Sequence, residues 1–206
     1  MPEKTAHVVA YRPPQNIEIM KRTVDLVASA FGLLLASPVL LVLALAIRLT
    51  SEGPALFRQV RVGRDEKPFV CLKLRTMYAG TPSVPTHDAP AAAATRLGLI
   101  LRRWKLDELP QLWNVLVGEM SLVGPRPCLP NQHELIAERR RRGVFSIRPG
   151  VTGLAQVSGV DMSDPAGCAA LDARYMAGMG LLPDMTILFR TFVRSGPAVA
   201  PPSQGS

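Results

Sequence analysis

Leu26-Val27-Ala28-Ser29-Ala30-Phe31-Gly32-Leu33-Leu34-Leu35-Ala36-Ser37-Pro38-Val39-Leu40-Leu41-Val42-Leu43-Ala44-Leu45-Ala46-Ile47 contains no charged side chain, and only Ser29 and Ser37 are polar. A helix of that length reaches across a hydrocarbon layer about 30 Å thick, so the stretch predicts a membrane-embedded helix. Pro38 interrupts the apolar run and no small-residue cleavage site follows, which sets it apart from a cleaved secretory signal. Lys21 and Arg22 flank one end, and Arg48, Arg58, Arg61 and Arg64 follow the other. Short basic flanks stay on the cytoplasmic side, so both ends favour the same face. Pro38 lacks the N–H that would bond the Leu34 carbonyl and crowds that turn, so a kink is expected there, with the Ser37 hydroxyl as a substitute donor. A kinked spanning helix and a re-entrant one both satisfy these residues.

The remaining composition agrees with a lipid or phosphate partner. The chain has 206 residues, enough for one domain, and its 24 Lys+Arg against 16 Asp+Glu give a formal charge of +8, which favours anions. Aromatic residues make up only 5%, too few for base-stacking platforms, so nucleic acid is not an expected partner. Cys71, Cys128 and Cys168 lie far apart, odd in number and with no paired spacing, so neither a disulfide framework nor a zinc site is suggested, and they read as buried thiols in a reducing compartment.

Beyond the apolar stretch, residues 56–62 and 69–74 read as two short strands around a polar connection, a small hairpin. Residues 81–94 are rich in Pro, Ala and Thr and are expected to form a flexible loop. Leu97, Ile100, Leu101 and Trp104 recur at helical spacing beside Arg96, Arg102, Arg103 and Lys105, a basic amphipathic helix suited to an anionic membrane surface. Residues 132–142 form a second helix whose run Arg139-Arg140-Arg141-Arg142 reads as a solvated or lipid-facing end before Gly143. Met185, Leu188, Phe189, Phe192 and Val193 mark another interfacial helix, and residues 196–206 read as a disordered tail.

The chemistry is expected between residues 102 and 127. Asp107-Glu108 sits among cations, and a carboxylate kept ionised by neighbouring positive charge can attack phosphorus to form an acyl phosphate. Gly124-Pro125-Arg126-Pro127 holds an arginine between two prolines that restrict the backbone, and Arg148-Pro149-Gly150 is similar. Arg126, Arg148 and Arg103 are therefore the candidate phosphate ligands. The sequence has no GxxxxGK[ST] loop and no GxGxxG after a strand. Phosphate is then held by arginine and a divalent ion such as Mg²⁺, which prefers carboxylate and phosphate oxygens.

These residues resemble the monotopic phosphoglycosyl transferases, also called bacterial sugar transferases. The resemblance runs in order through Lys21-Arg22, Asp25, Ser37-Pro38, Gly53-Pro54, Arg58-Gln59-Val60-Arg61-Val62-Gly63 and Lys73-Leu74-Arg75-Thr76-Met77. It continues through Leu106-Asp107-Glu108-Leu109-Pro110-Gln111-Leu112, Met120-Ser121-Leu122-Val123-Gly124-Pro125-Arg126-Pro127, the stretch from Arg148 to Gly159, and Leu171-Asp172-Ala173-Arg174-Tyr175. It implies an α+β, mainly helical fold with a re-entrant membrane helix hairpin broken at Ser37 and Pro38, interfacial amphipathic helices and a small β element. It also implies Asp107 as covalent nucleophile and magnesium ligand, with Glu108 as its catalytic neighbour. The implied substrates are a nucleotide diphosphate-sugar, usually of uridine, and a polyprenyl phosphate, usually undecaprenyl. The implied place is the cytoplasmic face of the bacterial inner membrane, in contact with membrane lipid, while homodimerisation stays open. The expected organisation is an N-terminal segment (1–20), the re-entrant helix (21–50), a cytosolic and interfacial catalytic domain (51–195) and the tail, a small minimal form.

The sequence departs from the family pattern in three places. Asp88-Ala89-Pro90 stands where an Asp-x-Arg stretch is frequent, Gly118-Glu119-Met120 replaces Gly-Asp-Met, and Val160-Asp161 follows Gly159 where Arg-Asn is common. The first and last of these loops therefore carry over no residue role from the family pattern. A basic membrane scaffold without activity would explain the charge and the apolar stretch, but gives no reason for Asp107-Glu108 among cations or for two Pro-framed arginines.

Overall fold

A computed structural model describes residues 14–78, 80–81 and 93–194. The expectations for the first 13 residues, for most of the 81–94 loop and for the tail lie outside the described residues. Within them the chain is mainly helical, with a small β element.

Helix α1 spans Gln15–Thr50 and is long and apolar enough to cross a membrane, a membrane-associating segment. It stays helical across Ser37-Pro38, where a broken helix was expected. The Ser37 hydroxyl donates to the Leu34 carbonyl at 2.8 Å, the acceptor that Pro38 leaves free. The inward side of α1 is polar. Lys21, Asp25 and Ser29, spaced by one turn, are buried against the domain, and Gly32 continues the stripe where Leu112 approaches. Val27, Phe31, Leu34, Leu35, Leu41, Val42 and Leu45 point outward and exposed. That reverses the usual arrangement in water, where the apolar stripe faces the core. Lys21 pairs with Asp184 at 2.5 Å, and Asp25 accepts the Leu122 N–H at 3.1 Å. Ile47, near the other end, is buried with Leu74 and Leu101.

Strands β1 (Leu56–Val62) and β2 (Pro68–Leu74) form the expected antiparallel hairpin, with Gln59 opposite Cys71. Alternation puts Gln59 and Arg61 of β1 on the same face as Cys71 and Lys73 of β2. Helix α2 (Arg96–Arg103) starts at Thr95, whose hydroxyl accepts the Gly98 N–H at 2.9 Å. A Cβ on Gly98 would lie 2.0 Å from the Thr76 carbonyl oxygen, so only glycine lets α2 pack this close to the end of the hairpin. Helix α3 (Gln111–Val117) ends at Gly118 with φ 94°, a left-handed C-cap.

Strands β3 (Ser121–Val123) and β4 (Gly150–Thr152) are parallel, Ser121 facing Gly150 and Val123 facing Thr152. Three-residue strands carry no readable period, and the sequence did not reveal them. Around them pack α4 (His133–Arg141), α5 (Leu154–Val157), α6 (Pro165–Ala177) and α7 (Leu181–Arg194). Leu182, Met185, Phe189 and Phe192 form an exposed stripe along α7, in keeping with the expected interfacial helix. All three cysteines are free and buried, as expected.

The arginine run requires a correction. Arg139 is 1% exposed, and its Nε donates to Asp172 at 2.9 Å, so the first residue of the run is a core residue, not a solvated helix end. Arg140 pairs with Glu66, and Arg141 and Arg142 pair with Glu138. Helical spacing explains the difference: the first arginine lies one turn after buried Leu135 and so shares its inward face.

Candidate active site

A cavity of about 810 Å³ opens between the β1–β2 hairpin, the turn carrying Asp107 and the α5–α6 region. Its walls bring cations together with four carboxylates, Asp107, Glu108, Asp161 and Asp172. Asp107 and Glu108 sit in a 3₁₀ turn, Leu106–Glu108, entered through Lys105 in the left-handed region at φ 53°. That turn brings both neighbouring carboxylates to the cavity wall.

Their environments differ sharply. The Glu108 Oε1 oxygen accepts from Lys73 Nζ at 2.9 Å and from Arg126 Nη2 at 2.7 Å. Burial alone would raise the Glu108 carboxyl, but Arg126 and Lys73 outweigh it and hold the group far below the usual carboxylate range. Asp107 is 8% exposed and, among the described residues, makes no ion pair. Burial and the neighbouring Glu108 charge push its carboxyl up, with Lys73 and Arg102 pulling the other way. Glu108 is thus a fixed anion between two cations, whereas Asp107, among the described residues, carries no ion pair of its own.

The Gly124-Pro125-Arg126-Pro127 segment is fastened on several sides. Arg61 Nη1 donates to the Pro127 carbonyl at 3.0 Å, and Arg139 Nη1 donates to the Arg126 carbonyl at 2.8 Å. Gly124 N–H donates to Thr152 at 2.9 Å and Gly150 N–H to Pro125 at 2.8 Å, so the two Pro-framed segments are stitched side by side. They aim their arginines apart. Arg126 lines the cavity, whereas Arg148 does not: its Nε donates to the Gly118 carbonyl at 3.0 Å and its Nη1 reaches Glu18 at 3.4 Å. Arg103 is exposed and also outside the cavity, while its neighbour Arg102 lines it and donates from Nε to Thr76 Oγ1 at 2.9 Å. Of the expected phosphate ligands, only Arg126 is therefore brought beside Asp107 and Glu108.

Sequence reasoning missed Arg61, Lys73, Arg75 and Arg102 as cavity residues. The signal was present as alternation, since Lys73 and Arg75 are two apart along one strand direction and Arg61 stands on the paired strand. Burial and the charge of Arg126 lower the Arg61 guanidinium to about 10, a sign of how densely positive this wall is.

Replacing Arg126 by Lys is expected to lower kcat/KM about 10- to 100-fold, the worth of one charge-assisted hydrogen bond, while Arg148→Lys stays within a few-fold of wild type. Steady-state kinetics on both variants checks this; equal losses would place Arg148 at the substrate. The pH profile gives a second expectation. With no divalent ion bound the Asp107 carboxyl is raised, so the acid limb set by its ionisation lies above the ordinary aspartate value of about 3.9. Glu108→Gln removes a charge that raises Asp107 and should move that limb to lower pH. Lys73→Met removes a charge that lowers it and should move the limb higher.

The chain matches known proteins over nearly its whole length. The bacterial sugar transferase family matches residues 16–196. A Caulobacter vibrioides protein named UDP-glucose:undecaprenyl-phosphate glucose-1-phosphate transferase is 42% identical over 190 residues, 87% of this chain and 70% of that protein. A Klebsiella pneumoniae protein of the same name is 38% identical, covering 84% of this chain but 39% of its own length. The exopolysaccharide production protein ExoY of Rhizobium meliloti is 34% identical, over 93% of this chain and 89% of its own. The chain thus spans about two fifths of some curated relatives and most of others. On the family match and these identities, the chain belongs to the bacterial sugar transferase family of enzymes.

Proposed function

We propose that this protein transfers a sugar 1-phosphate from a nucleotide diphosphate-sugar, most simply a UDP-sugar, to polyprenyl phosphate, through a phosphosugar held covalently on Asp107. The relatives' names supply the substrate class. The observation that carries the mechanism is the division of labour within the dyad: Glu108 is saturated by Lys73 and Arg126, and Asp107 lies buried without a cation partner in the same cavity. An Asp107 oxygen attacks the phosphorus bearing the sugar, an O–P bond forms, and the bond to the nucleoside monophosphate breaks. The oxygen of the acceptor phosphate then attacks the same phosphorus and frees Asp107. Arg126 and Lys73, fixed by Glu108, face the charge that develops on the transferring phosphoryl group.

The residues present suit magnesium, which favours carboxylate and phosphate oxygens. Asp107, without an ion pair, would supply the protein oxygen beside those of the donor, and a bound ion would offset repulsion between carboxylate and phosphate. The test is direct. Membranes carrying the protein are incubated with labelled UDP-sugars and undecaprenyl phosphate, and labelled lipid is scored with and without a chelator. Absence of labelled lipid across the panel would overturn the reading.

The same reading places α1 as a re-entrant helix at the cytoplasmic face. Lys21 and Ile47 are both buried against one domain. They are 26 residues apart, roughly 39 Å along a straight helix, more than the ~30 Å hydrocarbon layer. A spanning helix would put them on opposite faces, out of reach of one polar domain. Cysteine labels at Ala10 and Glu52 are expected to be equally protected from an external impermeant reagent; opposite exposure would mean that the helix crosses.

A further inference from the structure

Arg75 stands apart from the other cations of the cavity. It lies two residues beyond Lys73, just past the end of β2, and is 7% exposed. Its backbone N–H donates to Ala55 at 2.8 Å, and its Nη2 donates to the carbonyl and the hydroxyl of Ser51, both at 2.8 Å. Nε and Nη1 are buried, and among the described residues they have no hydrogen-bond partner and no carboxylate neutralises the charge. Of the other cavity cations, Lys73 and Arg126 are engaged by Glu108, Arg102 by Thr76, and Arg61 by Gln59 and the Pro127 carbonyl, while Lys105 is exposed to water. A buried guanidinium with idle donors and no counter-charge is a costly arrangement that an anion would relieve.

Its surroundings indicate which anion. Ser51 is the C-cap of the membrane helix, so Arg75 is bolted to the point where α1 ends. One turn earlier lies Ile47, buried with Leu74 and Leu101 in a cluster to which Leu40, Leu43, Leu97 and Leu106 add. Arg75, Leu74, Met77 and Tyr78 line the same cavity as Asp107. An unneutralised cation therefore sits in the wall of the cavity that holds Asp107, beside an apolar cluster that reaches back to the membrane helix. We propose that Arg75 binds the phosphate monoester of the apolar-tailed acceptor, and that the Lys73, Glu108 and Arg126 side of the cavity takes the donor diphosphate. This rests on the reading that the acceptor is a polyprenyl phosphate. The division suits a two-step transfer, because each phosphate substrate then has its own cation and the acceptor need not displace the Glu108 salt bridges.

The test measures binding to the full chain in detergent, with farnesyl phosphate and UDP as separate probes. Arg75→Gln is expected to weaken farnesyl phosphate at least tenfold and UDP less than twofold, and the retained UDP binding reports an intact fold. Inorganic phosphate should compete with farnesyl phosphate, and farnesol should not. Arg75→Lys keeps the charge but cannot hold Ser51 and a phosphate together, so its loss for farnesyl phosphate should be smaller and equally selective. Unchanged farnesyl phosphate binding in Arg75→Gln, or farnesol binding as tightly as its phosphate, would overturn the assignment. If Arg75→Gln loses both ligands, Arg75→Lys decides: selective loss supports the site, and loss of both makes Arg75 structural. A wild-type protein that makes no lipid-linked sugar would sink the proposed reaction while leaving these binding outcomes readable.

Discussion

Asp107→Asn is expected to abolish turnover, by a factor on the order of 10⁴ or more, while the protein folds and still binds UDP. The amide keeps the shape of the carboxylate, so packing in the turn from Leu106 to Glu108 is retained. It loses the negative oxygen needed to attack phosphorus. Incubation of the wild type with donor alone should release nucleoside monophosphate in an amount near one per enzyme and leave the sugar phosphate on the peptide carrying Asp107. The variant should release none, and wild-type kinetics should be ping-pong. Substantial turnover by Asp107→Asn, or a complex that needs both substrates before any release, would rule out the covalent route. Glu108→Gln is a different lesion. It removes the anion that holds Lys73 and Arg126 in place, and some phosphate binding should survive because both cations remain.

The largest expected effect on stability belongs to Arg139→Met. Arg139 and Asp172 are each 1% exposed and joined by a hydrogen-bonded ion pair. Removing one partner strands the other in the core, at a cost of about 3–5 kcal/mol. In a domain of this size that lowers Tm on the order of 10 °C, readable by thermal melting in detergent. Activity should fall as well, since Arg139 also holds the Arg126 carbonyl. The double variant Arg139→Met with Asp172→Leu should recover much of the stability, as apolar replacement of both partners removes the stranded charge. Arg140→Ala breaks an exposed pair with Glu66 and should leave Tm near that of the wild type. Equal effects of the Arg139 and Arg140 changes would show that burial of the first pair contributes nothing.

How much of this was legible in the sequence depended on the range of the signal. The β1–β2 hairpin was readable because its alternation is local, and α2, α4 and α7 because their periods run for two turns or more. That Asp107, Glu108 and Arg126 would share one cavity was readable from adjacent carboxylates among cations and from prolines beside an arginine. What stayed hidden was direction. Arg126 and Arg148 have matching sequence contexts, and only the pairing of β3 with β4 separates the one that faces the cavity from the one that faces Gly118. Arg139 looked like its three successors because the sequence does not mark which of four consecutive arginines shares a helix face with Leu135. The polar stripe of α1 was visible as residues, yet its inward orientation follows from partners more than ninety positions away.

That stripe bears on the order in which the protein is made. Lys21 and Asp184 are 163 residues apart, so the membrane helix leaves the ribosome long before its buried partner exists. The Tyr175 hydroxyl donates to the other Asp184 oxygen at 2.6 Å and lies 3.1 Å from the Val123 carbonyl, which ties α6, α7 and β3 into the same contact. Until α7 arrives, Lys21 and Asp25 must face water or headgroups, because exposing them to acyl chains is costly. Helix α1 is therefore expected to reach its final depth only once α7 has docked. A chain that stops short of α7 is left with a poorly seated anchor, and incomplete synthesis is thereby coupled to loose membrane attachment.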